Sequence, residues 1–272
     1  MISAYVPCFN NATTIRRAVE SVLAQTVPLA EVLVIDDGST DDSCARLGGL
    51  PVRIVRHDVN LGRGAARARA MQEACGEFVL SVDAAGMLPP THLAAGLPWF
   101  DDARVAAVFA RVAQEPQPGV AGRWRERHLF KTRQDMTTQR RAMFSTAGSI
   151  VRAASVRAVG GYSPGLRRGE DRELGERLLA AGCDVVYDPL LATIAIGHGT
   201  VASALERYWR WNVADRPASV VGYLRSVLYS LKVMARRDLS QGDFASAAVS
   251  IACPHYCLAR SLLTKGGKGM QT

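Results

Sequence analysis

An α/β protein with a mostly parallel central sheet, helices on both faces and a helical carboxy-terminal extension is what this sequence predicts. Three observations lead there. Short apolar runs alternate with amphipathic stretches from Ile2 to Asp83. Each apolar run closes on polar or acidic residues, as strands do when they end at a ligand-binding edge. From Ser203 onward the periodicity is helical instead. A repeating strand–helix–strand order places strands in parallel and helices on both faces.

The elements follow in order. ISAYVPCF (2–9) reads as a strand. TTIRRAVESVLAQT (13–26) places Ile15, Val19, Val22 and Leu23 at helical spacing, with Thr13 or Thr14 as cap. EVLVIDDGS (31–39) is a buried strand ending in two acids and a glycine. DDSCARLGGL (41–50) predicts a helix, because acids at its start suit the dipole and glycines close it. VRIVRH (52–57) is a strand, GRGAARARAMQEAC (62–75) an Ala- and Arg-rich helix, and GEFVLSVD (76–83) a strand. Beyond residue 100 the rhythm loosens. QEPQPG (114–119) is rich in turn residues, RWRERHLFK (123–131) is basic with interleaved aromatics, and GERLLAAGCDVVYDP (175–189) reads helix, glycine cap, strand. Tyr223/Leu224, Val227/Leu228 and Leu231 form an apolar stripe near Arg225, Lys232, Arg236 and Arg237. Such a stripe packs against the rest of the chain or lies on an anionic membrane. KGGKGMQT (265–272) reads as a loose tail.

The 272 residues suffice for a large core. With 48% hydrophobic and 21% charged residues the class is globular. The net charge of +8 favours anionic partners. The basic segment 123–133 lacks a recognisable nucleic-acid module, so no nucleic acid is expected. MISAYVPCFN lacks the basic and apolar regions of a signal peptide, and no run reaches the length of a spanning helix. Six scattered cysteines then suggest reduced thiols in a cytoplasmic protein, with the inner membrane face as a second location.

Several constellations carry possible chemistry. Pro7–Asn10, Asp36, Asp37 and Asp83 all fall at carboxyl ends of predicted strands. Asp36 and Asp37 can accept a base N–H or a ribose hydroxyl, or build a turn with Ser39, Thr40 and Asp41. NLGRGAARARA (60–70) offers glycines and arginines at a helix start, suited to phosphate or to a plain surface helix. Glu170 and Asp171 open an amphipathic helix, where acids serve the dipole or a proton transfer. Arg207 and Arg210 share a helix face beside Trp211. They can clamp a diphosphate and stack a sugar, or Arg210 can pair with Glu206. His198 follows a strand; a lone histidine is structural or a ligand.

The ordered set resembles one family. VPCFNNATTIRRAVESVLAQT, EVLVIDDGSTDDS, NLGRGAARARA and GEFVLSVDA look like the amino-terminal half of a family 2, GT-A fold glycosyltransferase. GGYSPGLRRGEDRELGERLLAAGCDVVYDP resembles its second half. The resemblance implies a GT-A domain with a nucleotide-sugar half (1–110), an acceptor half (111–202) and a helical extension (203–272). It implies inverting transfer of a sugar from a nucleoside diphosphate, UDP favoured, to a hydroxyl of a glycan, lipid-linked or protein acceptor. Pro7, with neighbours such as Asn10, would line the base. Asp37 would contact the base, Asp36 the nucleoside side, and Arg67 the base or phosphate. Asp83 matches the first acid of the metal-binding D-x-D motif, Asp171 the general base and Glu170 its usual neighbour. RYWRW (207–211) resembles the (Q/R)-x-x-R-W motif of processive synthases, which adds Arg207, Arg210 and Trp211 to the donor side. His198 stands where relatives place a further metal ligand. Two positions depart from the pattern: Ala85 replaces the second acid of D-x-D, and Ala68 an asparagine. A divalent cation, Mn²⁺ or Mg²⁺, is therefore expected to bind weakly and with the donor. The alternative is a non-catalytic nucleotide-sugar-binding protein.

Overall fold

A computed structural model describes residues 1–130, 136–197, 199–214 and 219–266. Its elements are β1 (Ile2–Cys8), α1 (Ile15–Leu23), β2 (Glu31–Asp36), β3 (Arg53–Arg56), α2 (Arg63–Glu73), β4 (Phe78–Ser81), β5 (Gly86–Met87), α3 (His92–Gly96), β6 (Val105–Gln114), α4 (Gly119–Arg125), β7 (Ser149–Arg152), α5 (Ala153–Ala158), α6 (Glu170–Ala180), β8 (Asp184–Ala195), α7 (Val201–Asn212), α8 (Val220–Tyr229), α9 (Arg236–Ser240) and α10 (Phe244–Gly266). They group into two compact units, one of Met1–Glu115 and Arg133–Gly197, the other of Pro116–Thr132 and His198–Thr272. This grouping differs from a division at 110 and 202. Strands β6–β8 hydrogen-bond into the same sheet as β1–β4, whereas α4 packs on α7 and α10.

The first unit holds one eight-stranded sheet in the order β3-β2-β1-β4-β7-β6-β8-β5. The pairs β1/β2, β2/β3, β1/β4 and β6/β8 are parallel; β4/β7, β6/β7 and β5/β8 are antiparallel. The sheet is thus mixed, and its parallel half is the one read from the alternating sequence. From β1 the chain steps outward to β2 and β3, then returns to β4 on the other side of β1. That reversal opens a crevice at the carboxyl ends of β1 and β4, where ligands of α/β sheets bind.

The strand period of two sorts β1 onto both faces. Ile2, Ala4, Val6 and Cys8 pack with Ile15, Val19 and Val22 of α1. Tyr5 points the other way, into a layer with Ala66, Ala70 and Met71 of α2 and Leu174 and Leu178 of α6. Small residues on α2 let it approach the sheet closely. A Cβ on Gly64 would lie 2.3 Å from the Leu166 carbonyl oxygen, and the Gly64 N–H donates to that same oxygen at 3.0 Å. That amide is used in packing, and the Gly62 N–H donates to Asp37 at 2.8 Å. The glycine loop therefore builds the fold rather than a phosphate cradle.

The helix expected over 41–50 is absent. Only Ala45–Leu47 forms a single 3₁₀ turn. The Asp41 carboxylate accepts from the Ala12 N–H at 3.1 Å and from the Ser43 N–H at 3.0 Å. Such side-chain bonds offer the backbone an alternative to a helix, and here they fasten the loop to the end of β1.

In the second unit, Trp124 is fully buried and donates its indole N–H to Ser250 Oγ at 2.9 Å. Ser250 donates to Asp238 at 2.6 Å, and Arg127 bridges Asp238 and Asp243 at 2.6 Å each. Around this network α8 buries none of its residues. Leu224, Leu228 and Leu231 are about half exposed, whereas Tyr223 and Val227 of the same stripe are partly buried. The helical extension is observed as α7–α10. All six cysteines are free thiols, and no helix among the described residues is long and apolar enough to cross a membrane. The tail is described only as far as Gly266.

Candidate functional site

The acids singled out at strand ends lie along one edge of the sheet, at the carboxyl ends of β2 and β4. Asp36 ends β2 and is fully buried. It accepts from the Ser39 N–H at 3.0 Å and from Cys44 Sγ at 3.1 Å, and pairs with Arg56 Nε at 3.1 Å. Burial and the Asp36 carboxylate push the Cys44 thiol up to about 12, so the sulfur keeps its proton for this bond. Asp37 accepts from the Leu61 N–H at 3.0 Å and the Gly62 N–H at 2.8 Å, with His57 Nδ1 2.8 Å away. The two acids thus hold the loops that border the crevice. Asn10 takes a left-handed backbone, φ 52°, which asparagine tolerates. Its side-chain oxygen accepts from the Thr40 N–H at 2.9 Å, and its own N–H donates to Ser39 Oγ at 3.0 Å. Pro7 lies in β1 opposite Ile35. Beside it Phe9 is 43% exposed, an aromatic face at the strand end.

Arg67 is the centre of the site, and its placement corrects an expectation. It does not reach outward to a base or phosphate. Its side chain is 1% exposed. Nε donates to Glu170 Oε1 at 3.0 Å, Nη1 to Ser81 Oγ at 2.9 Å and to the Tyr5 hydroxyl at 3.4 Å, and Nη2 to Asp83 Oδ1 at 2.8 Å. Burial opposes the guanidinium charge, but Tyr5, Asp83, Tyr162 and Glu170 around it outweigh that and hold the arginine more firmly charged than usual. Tyr162 closes the pocket; burial, then the adjacent Tyr5, push its phenol well up, so it stays neutral.

Two carboxylates from distant parts of the chain are therefore tied to one cation. Asp83 lies just past β4, and its side chain is 46% exposed. Glu170 opens α6 and is 3% exposed at the side chain. Glu170 was expected beside the base in the chemistry, but burial removes it from contact with substrate. It shares the core-facing stripe with Leu174 and Leu178, one helical turn apart each. Asp171 is the next residue, about 100° further round. It is half-buried and accepts from the Arg172 N–H at 2.8 Å. Tyr5, Ser81 and Tyr162 were not singled out in the sequence. Tyr5 and Ser81 could have been, because each lies two residues before a named strand-end residue, on the same strand face.

Arg207, Arg210 and Trp211 belong to the second unit. Arg207 lies over the Trp211 ring at 5.7 Å, and Arg210 is 3.9 Å from Glu206. Glu206 is held mainly by Arg260 at 2.9 Å and Tyr256 at 2.8 Å. His198 lies outside the described residues. Among those described, no group of three histidine, cysteine or acidic side chains is arranged for a metal. A half-exposed Asp83 does fit an ion that takes its other oxygens from a diphosphate and water, as Mg²⁺ commonly does.

Comparison with known proteins gives the family. The profile of Glycosyl transferase family 2 matches residues 3–160. The chain belongs to that family. This family 2 chain is 36% identical over 95 residues to the succinoglycan biosynthesis protein ExoO of Rhizobium meliloti, covering 34% of this chain and 27% of the relative. It is 28% identical over 211 residues to the pre-mycofactocin glycosyltransferase of Mycobacterium tuberculosis, covering 73% and 43%. It thus spans well under half the length of these relatives. Among solved structures, S. aureus TarS 1–349 in complex with UDP-GlcNAc superposes with a TM-score of 0.59 at 18% identity, over 96% of this chain and 88% of that one. A mannosyltransferase from Pyrobaculum calidifontis, in complex with GDP-Man and Mn²⁺, gives 0.57 at 18%, over 100% and 81%. At that identity the likeness concerns the fold alone, and the fold is GT-A.

Proposed function

We propose that the chain is an inverting glycosyltransferase that uses a nucleoside diphosphate sugar, UDP-linked in preference, to glycosylate a hydroxyl of a glycan, lipid-linked or protein acceptor. One observation carries the reading: the Arg67 junction brings a donor-side acid, Asp83, and the helix that bears Asp171 to one crevice. Transfer needs an acceptor oxygen stripped of its proton on the face opposite the leaving group. Asp171 is half-buried at the helix start and is the base in this account. The nucleoside lies over the ends of β1 and β2, with Phe9 stacking on the base and the loops held by Asp36 and Asp37 around it. Asp83 would help hold a divalent ion bound with the diphosphate, and that ion would offset the charge of the leaving group. The relatives named above support a transferase over a non-catalytic binding protein.

A thermal-shift panel of nucleotide sugars tests this, with and without Mn²⁺. A ligand at about 100 times its Kd adds roughly 2.7 kcal/mol, or on the order of 5–10 °C here. UDP sugars should shift melting more than adenine or guanine donors, and Mn²⁺ should increase the shift while doing little alone. Equal shifts with every nucleotide, or none with any, would count against the reading.

The exposed face of α8 favours a membrane-borne acceptor. Val220, Val221, Leu224 and Leu228 fall within an arc of about 100°, which Arg225 borders. All four apolar residues are more than half exposed. Apolar side chains rimmed by cations suit an anionic bilayer surface. The protein should float with phosphatidylglycerol-containing vesicles and not with neutral ones, and Leu224→Asp with Leu228→Asp should abolish flotation. No association of the parent with either vesicle removes the membrane from the account.

A further inference from the structure

We propose that Glu170 is a positioning residue that neutralises Arg67, so that Asp83, the acid just past β4, keeps its negative charge for the donor's cation. The proposal rests on the donor reading above. Three unit charges meet here. The Arg67 cation is buried and bonds Glu170 on one side and Asp83 on the other, at 3.0 and 2.8 Å. Were Asp83 its only carboxylate, the pair would be neutral and offer a divalent ion little attraction. With Glu170 buried beside Arg67, these three side chains together carry one more negative charge than Arg67 and Asp83 alone, and the exposed member is Asp83. Ala85 stands where a second acid would otherwise supply that charge. Sequence spacing hides this, since Glu170 is 103 residues from Arg67.

The guanidinium is planar, and it donates to Glu170 through Nε and to Asp83 through Nη2. It therefore ties both carboxylates to one cation. Because Asp171 follows Glu170 on the first turn of α6, the same junction links the acceptor-side helix to the donor side. Linkage makes any such coupling reciprocal.

The test is UDP binding by calorimetry, with and without Mn²⁺, in parent, Glu170→Gln, and the double variant Arg67→Gln with Glu170→Gln. Glu170→Gln keeps an oxygen for Arg67 and removes the charge. It should cut the enhancement of UDP binding by Mn²⁺ roughly three- to tenfold, as expected for one charge near a polar surface. UDP alone, itself anionic, should bind unchanged or tighter. A merely structural defect would weaken both. The double variant restores the balance and should regain the parental enhancement within about threefold; it decides the matter even if the single variant fails to fold. Equal weakening with and without Mn²⁺, or a double variant as impaired as the single, overturns the role of Glu170 while leaving the donor reading intact. Absence of UDP binding by the parent overturns both.

Discussion

Asp171→Asn is expected to lower sugar transfer by roughly 10²–10⁴-fold while UDP affinity changes by less than about a factor of two. The reason is geometric. Asp171 is half-buried on the first turn of α6, whereas the proposed donor site lies at the ends of β1, β2 and β4. Asparagine preserves shape and can still accept from the Arg172 N–H, but it cannot take a proton. The loss therefore belongs in kcat and not in donor binding. Transfer at the parental rate, or UDP affinity lost together with transfer, would show that Asp171 is not the base.

Arg67→Met carries the largest expected effect on stability. Methionine fills much of the volume but leaves Glu170 buried without its counter-charge. Breaking a buried pair by removing one partner costs about 3–5 kcal/mol. For a chain of this size the melting temperature should fall on the order of 10 °C. Ser81 Oγ and the Tyr5 hydroxyl lose a partner as well. Replacing both ends, Arg67→Gln with Glu170→Gln, removes the stranded charge and should restore most of the loss. Denaturation curves decide this: an unchanged midpoint for Arg67→Met means that the junction contributes nothing to stability.

The strand ends were legible because apolar runs stop abruptly at Pro7, Asp36 and Asp83, and a strand–helix–strand rhythm leaves little freedom in where those stops go. Mixed pairing beyond β4 was not legible. β7 enters antiparallel between β4 and β6, and nothing in the four residues of Ser149–Arg152 announces a partner so far away. The segment 41–50 misled because acids followed by glycines suit a helix and a turn equally, and the side chain of Asp41 chose the turn. Arg67 misled for another reason. A charged residue suggests a surface, yet Arg67 shares a helix face with Ala70, Met71 and Ala74, all buried. That spacing already pointed it at the core, as Leu174 and Leu178 pointed Glu170 there. What no spacing reveals is that the two buried charges find each other.

The central claim, a donor crevice at the carboxyl ends of β1, β2 and β4, is tested most directly by amide hydrogen exchange with and without UDP and Mn²⁺, since this needs neither the sugar nor the acceptor to be known. Exchange should slow over residues 8–12, 37–40 and 82–87, where the account places nucleoside and diphosphate. Residues 153–158, in α5 at the opposite end of the β4–β7 pair, should exchange as before. Protection confined to other segments, with these strand ends unchanged at saturating UDP, would contradict the account.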